Sequence, residues 1–239
     1  MKSQPVINVL HRNSRLFHPV VPFDPVREKL ISLNFTENNQ ELTEEIFNDT
    51  RLFSEYIANK LKQFDAKYGI GGYNELRSVY NRSKIFDAEK PGEEPRRLHL
   101  GVDIWGKAGT PVHAFLGGMI HSFAFNNHYG DYGATMILLH QLDSVSFYSL
   151  YGHISLKDIE KLVAGQYVNH GQLIAHFGLP EENGHWPPHL HFQLIQDLEL
   201  NEGDYPGVCK YSEREKYLAN CPDPDNILQL NKYLETKPV

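Results

Sequence analysis

Cysteine, long apolar runs and excess positive charge are all scarce here, and each shortage removes a class of explanation. Only Cys209 and Cys221 occur in 239 residues, without CxxC or Cys/His finger spacing, so a disulfide scaffold and a structural zinc finger are not expected. The two are expected as free thiols of a reducing compartment. No stretch approaches the ~20 apolar residues of a membrane span. The opening residues MKSQPVINVLHRNSRLFHPVVPF lack the apolar run of a secretory signal, so a cytoplasmic location is expected. Lys and Arg total 23 against 30 Asp and Glu, a formal charge of -7. That balance offers nucleic acid no basic footprint, and the cations are too scattered to mark an anionic membrane surface. Internal repeats and low-complexity segments are also missing.

The remaining composition is that of a globular chain, 41% hydrophobic and 22% charged, with enough apolar material for one core. Residues 1–35 carry several prolines and no sustained period, and read as an extended arm. Leu52, Phe53, Tyr56, Ile57, Leu61 and Phe64 then recur at helical spacing, with Asp49 or Thr50 as N-cap and Gly69 as stop. Residues 69–75 (GIGGYNE) read as a glycine-rich turn; without a preceding strand or a Lys-Ser/Thr ending they are no phosphate loop. A short helix is expected around 75–83. From about Arg96 the chain turns β-rich, with strands expected at 111–114, 118–125, 135–140, 146–152 and 189–195, broken by Gly, Asn and Asp clusters. One brief helix is expected at 156–163, and a short closing helix after a polar tail. Closely spaced strands with little helix between them predict a mostly β, antiparallel sheet or sandwich-like fold. We divide the chain into an N-terminal arm and helical extension (1–90) and a core with a polar C-terminal tail (91–239).

Histidine is the outlier. Eleven of the 13 fall between His99 and His191, which invites a metal hypothesis. Two short patterns carry it, His99-x-x-x-Asp103 and His189-Leu190-His191; either alone could arise by chance. In a strand, residues i and i+2 share a face about 6.6 Å apart, so His189 and His191 project toward one cavity. One of them is the natural ligand and the other stands beside the ion. An extended i,i+4 pair would lie too far apart to share a metal, so a bend is required, and Gly101 is the residue that could supply it. Two His and one Asp with an open fourth place describe a catalytic zinc site more than a closed structural one. His153, in Tyr151-Gly152-His153, ends an aromatic run where sites are often built.

Residues from about 95 to 196 closely resemble the lysostaphin-type (LytM-like) zinc endopeptidases. The resemblance rests on His99-x-Gly101-x-Asp103-Ile104, Gly109-Thr110-Pro111-Val112-x-Ala114, Asp131-Tyr132-Gly133, Leu150-Tyr151-Gly152-His153, Val168-x-x-Gly171-Gln172-Leu173-Ile174-Ala175 and Pro188-His189-Leu190-His191-Phe192. It implies hydrolysis of a peptide bond, one zinc ion on His99, Asp103 and His191, and His153 and His189 as the catalytic imidazoles. It also implies a peptide substrate of cell-wall type. HExxH is absent, so no glutamate base of the thermolysin sort is available and the two histidines must carry the proton traffic.

The sequence departs from that pattern in places. Gln193 stands where Glu often follows, which puts a supporting carboxylate in question. His185 and Trp186 replace small residues before Pro187 and could narrow the cleft. The flanks resemble peptidase-like domains found in large cytosolic proteins beside aminotransferase and phosphotransferase units. Two other functions compete: a metal-binding or regulatory module that kept the fold, and a cupin-like oxygenase. The first is disfavoured because all five site residues are present. The second needs a further histidine downstream, and none follows His191. His113, His121, His128, His140, His170 and His176 are expected as solvated or strand-face residues, and Trp105 as packing.

Overall fold

The computed structural model describes residues 4–234. In chain order the strands are β1 (Lys29–Leu33), β2 (Ala66–Gly71), β3 (Leu98–His99), β4 (Val102–Trp105), β5 (Pro111–His113) and β6 (Gly118–Asn126). They continue with β7 (Gly133–Leu142), β8 (Val145–Ile154), β9 (Tyr167–Val168), β10 (Leu173–His176), β11 (His189–Ile195) and β12 (Val208–Cys209). The helices are α1 (Gln4–Arg12), α2 (Glu44–Asn48), α3 (Thr50–Gln63), α4 (Leu156–Ile159), α5 (Arg214–Asn220) and α6 (Asp225–Leu228). Most of the molecule is β, as the strand spacing predicts. Eight strands form one sheet, ordered β1-β2-β4-β11-β8-β7-β6-β9, while β10 pairs with β5 and β12 with β3.

The sheet is mixed. Its pairs are antiparallel except β1 with β2, which run parallel because α2 and α3 cross over between them. At its centre β11 (HLHFQLI) is buried along its whole length, as a strand covered on both faces must be. Ile104, Phe115, Met136, Tyr151, Phe192 and Leu194 fill the core on one side. A second aromatic cluster on the other side, with Phe35, Phe53, Trp105 and Trp186, packs α3 against the sheet.

Helix α3 starts as expected, with the Asp49 carboxylate accepting from Leu52 N at 2.9 Å. It stops earlier than Gly69, because Asp65 takes the left-handed conformation (φ 52°) just past its end. The extended arm is corrected. It holds α1, whose Val6, Val9 and Leu10 are buried, and β1, whose Leu30, Ile31 and Leu33 are buried by pairing with β2. One short turn of apolar spacing and five strand residues are too brief to stand out from a proline-rich background. The glycine-rich segment is corrected too: Gly69 and Gly71 lie in β2, and the chain turns only after them. The two short helices shrink to a 3₁₀ turn at Ser78–Arg82 and to α4. Cys209 and Cys221 are both buried free thiols. Among the described residues no helix is long and apolar enough to cross a membrane.

Candidate metal centre and catalytic cleft

Register places the site. On β11, His191 lies opposite Asp103 of β4 and Gly152 of β8, and His189 lies opposite Trp105. Directly paired residues share a face, so Asp103, Trp105, His189 and His191 point to the side covered by α3. His99 joins them from β3, because the chain turns at Leu100–Gly101 between β3 and β4. Gly101 makes that bend without a left-handed φ; what its missing side chain supplies is space, because a Cβ there would meet the His191 ring at 2.5 Å. The glycine makes room for the imidazole.

Three donor atoms converge. His99 Nε2 lies 3.0 Å from His191 Nδ1, His191 Nδ1 lies 3.0 Å from Asp103 Oδ1, and His99 Nε2 lies 3.2 Å from Asp103 Oδ1. The other ring nitrogens are spoken for. His99 Nδ1–H donates to Gly72 O at 2.9 Å, and His191 Nε2–H donates to Gln193 Oε1 at 2.9 Å. With those protons placed by the hydrogen bonds, the converging atoms present three lone pairs to one point. Such an arrangement is repulsive unless a cation sits between them. Zinc bonds of ~2.0–2.1 Å in a tetrahedron set ligand atoms about 3.3–3.4 Å apart, so the set fits a divalent ion. His99, Asp103 and His191 are the group of metal-type ligands that lies within one ion's reach among the described residues.

Burial and charge agree with this. Burial pushes His99 down to about 4, helped by the Arg77 guanidinium, which keeps it neutral and able to ligate. Burial alone would raise Asp103. The imidazole of His99 and the Arg77 guanidinium overcome that and hold its carboxyl well below the usual range.

His189 and His153 stand beside the triad, their ring centroids 4.1 Å apart. Each has its Nδ1 turned to a backbone carbonyl, His189 to Pro187 at 2.7 Å and His153 to Asn183 at 2.8 Å. That leaves Nε2 free on both. Burial drives His189 down to about 4 and His153 well below its usual value. Trp105 stacks on His189 at 3.8 Å, so the packing expected of it also orients an imidazole. His153 reaches the cleft by an irregularity. It has φ 60°, next to a register shift between β7 and β8, and strict alternation would have put it on the face opposite the one under Gly152.

Tyr80, Phe86, Asp131, Tyr132, Trp186 and Tyr205 wall the cleft above these groups. Trp186 is buried and narrows it, as expected. His185 is exposed and stacks on Tyr129 instead. His140 is fully buried, with Nδ1–H to Gly117 O and Nε2 accepting from Ser149 Oγ, so it is a core histidine and not a surface one. The sequence reading missed Arg77, whose Nη1 donates to Asp103 Oδ2 at 2.5 Å, and the carbonyl of Gly72. Only the glycine-rich run 69–75 hints at either, and a backbone carbonyl leaves no mark in sequence.

The model of the Peptidase family M23 matches residues 97–202. The matched residues are similar to that family and make up less than half of the chain. The match carries His99, Asp103, His153, His189 and His191, and leaves Gly72 and Arg77 outside it. An L-Ala–D-Glu endopeptidase of Bacillus subtilis is 29% identical over 148 residues, which span 59% of this chain and 43% of that protein. The chain therefore covers less than half of that relative's length. The catalytic domain of lysostaphin from Staphylococcus simulans aligns at 22% identity and TM-score 0.38 over 68% of this chain and 97% of that one. A zinc-containing peptidase from Vibrio cholerae aligns at 26% identity and TM-score 0.33 over 46% of this chain and 30% of that one.

Proposed function

We propose that the chain is a zinc-dependent peptidase hydrolysing an amide bond of a short peptide. One ion would be held by His99, Asp103 and His191, and His153 and His189 would move the protons. The observation that carries this reading is the convergence of three lone pairs at 3.0–3.2 Å. A bound zinc ion supplies Lewis-acid polarisation of a carbonyl and a water of lowered pKa. The remaining work falls to the chain. The free Nε2 atoms of His153 and His189 lie on one side of the triad, where one imidazole can take a proton from the attacking water. Its conjugate acid, or its neighbour's, then steadies the developing oxyanion or hands a proton to the leaving amine.

The walls of the cleft favour a short substrate. The five site residues are buried, His153 most open at 6% exposure, and segments 79–86 and 204–208 cover them. An extended chain running through the cleft would meet Tyr80 and Tyr205. The L-Ala–D-Glu endopeptidase relative supports a peptide of that type. The two free thiols support a reducing compartment such as the cytoplasm.

The decisive experiment is elemental analysis of the purified chain beside Asp103→Ala. About one zinc per chain in the wild type, lost in the variant, is expected. A wild type that stays empty after zinc addition and dialysis would withdraw the metal site and leave a non-catalytic module.

A further inference from the structure

Asp103 divides its two oxygens between different partners. Oδ1 faces His99 Nε2 and His191 Nδ1, while Oδ2 accepts from Arg77 Nη1 at 2.5 Å. Arg77 is itself buried, at 2% exposure, and its guanidinium is engaged on every side. Nε donates to Glu75 Oε2 at 2.7 Å and Nη2 to Gly72 O at 3.1 Å, and the plane lies over the Phe35 ring at 5.1 Å. A planar fork held this way has little freedom to release the carboxylate.

The same turn holds a second ligand. Gly72 O accepts from His99 Nδ1, and the backbone of His99 pairs with Asn74 N and Glu75 O. The glycines of β2 make this possible. Gly71 lies opposite Asp103 in the sheet, and a Cβ on it would stand 2.8 Å from Arg77 Nη2 and 3.1 Å from Trp105 Nε1.

We propose that Arg77 is the positioning residue of the metal centre: by occupying Oδ2 it confines Asp103 to one ligating oxygen and keeps a coordination place open for substrate. The inference rests on the reading of His99, Asp103 and His191 as metal ligands. A carboxylate free at both oxygens can take two places on an ion. A catalytic site needs three protein ligands and a vacant place, and outer hydrogen bonds are the usual means of fixing how a ligand presents itself. An Arg77 that merely balanced the buried charges of Glu75 and Asp103 would leave the coordination number untouched, and this difference can be measured.

The test uses the full chain loaded with cobalt(II), whose visible absorption reports coordination number, with thermal denaturation as a separate check of folding. Wild type is expected to show the intense bands of four-coordination. Arg77→Met is expected to lose them for the weaker bands of five-coordination, because Oδ2 is released toward the ion. Gly71→Ala keeps the buried charge but crowds the guanidinium. It is expected to shift the spectrum the same way by less, and it decides the matter if Arg77→Met does not fold. A folded Arg77→Met with the wild-type spectrum, or in its absence an unshifted Gly71→Ala, would overturn the proposal. A wild type that takes up no cobalt would bring down the metal-site reading, and this inference with it.

Discussion

At the scale of single residues, the site depends on where each imidazole keeps its proton. His153 and His189 give theirs to the carbonyls of Asn183 and Pro187, so both offer Nε2 to the cleft, whereas His99 and His191 turn a bare nitrogen toward Asp103. The two pairs should therefore separate on mutation. His153→Ala and His189→Ala are expected to keep zinc, by elemental analysis, and to lose ~10²–10⁴-fold in peptidase rate, the range for a general acid or base. Activity surviving in both would remove the proposed mechanism. His140 obeys the same physics away from the cleft. Burial holds it down to about 4, against 6.5 in the unfolded chain, so below pH 6.5 the unfolded state binds a proton that the folded state refuses. Its contribution is present above pH 6.5 and lost as the pH falls toward 4, about 3 kcal/mol at most. Denaturation of the metal-free chain between these values should show a shallower loss of stability in His140→Gln than in wild type. Equal slopes would refute the assignment.

At the scale of elements, α3 supports the site by packing, with Thr50 Oγ1 at its start donating to His185 O at 2.9 Å. Phe53 is fully buried and its ring lies against Phe35, Trp105 and Trp186 at centroid distances of 6.1, 5.8 and 6.3 Å. Trp105 in turn stacks on His189. Phe53→Ala is expected to cost ~3–5 kcal/mol, as truncation of a buried Phe does. It should also lower catalytic rate with zinc still bound, since the surface that orients His189 loosens. Denaturant unfolding beside a metal assay checks both. The periodicity of α3 is legible in its sequence because it has a single buried stripe. The strand β2 was hidden for the opposite reason. Its side-chain places on the site face are glycines, which signal a turn when read locally and become strand residues only because Arg77 and Leu33 need the space.

At the scale of the whole molecule, one sheet carries both halves of the chain. β1 and β2 extend it past β4, and the turn after β2 reaches two of the three candidate ligands. We propose that the core 91–239 and the N-terminal extension 1–90 fold as one unit despite the boundary in sequence pattern between them. A fragment 91–239 would expose the edge of β4 and leave Asp103 Oδ2 without its cation. It is expected to aggregate, or to unfold at lower denaturant than the full chain, in size-exclusion and urea experiments. A soluble, cooperatively folding fragment of full-chain stability would show the extension to be dispensable.

The β-rich core, the strand at His189–Ile195 and the His99/Asp103 and His189/His191 patterns were readable from the order of residues, because strand alternation and short ligand spacings are local properties of the chain. His153 and the roles of all five entered only through the family resemblance. Which nitrogen of each histidine faces the centre was not readable, nor was the way His153 crosses to the site face, since both depend on carbonyls and a register shift contributed from elsewhere. Tertiary structure also decided the surroundings of the candidate ligands. It brought Gly72 and Arg77 against His99 and Asp103, and put Gln193 behind His191, where its carbonyl accepts the ring proton while Pro206 O and Cys221 Sγ fix the amide's other end. Contacts of that kind join segments far apart in the chain, so no local pattern announces them, and only the closed sheet brings them within hydrogen-bond reach.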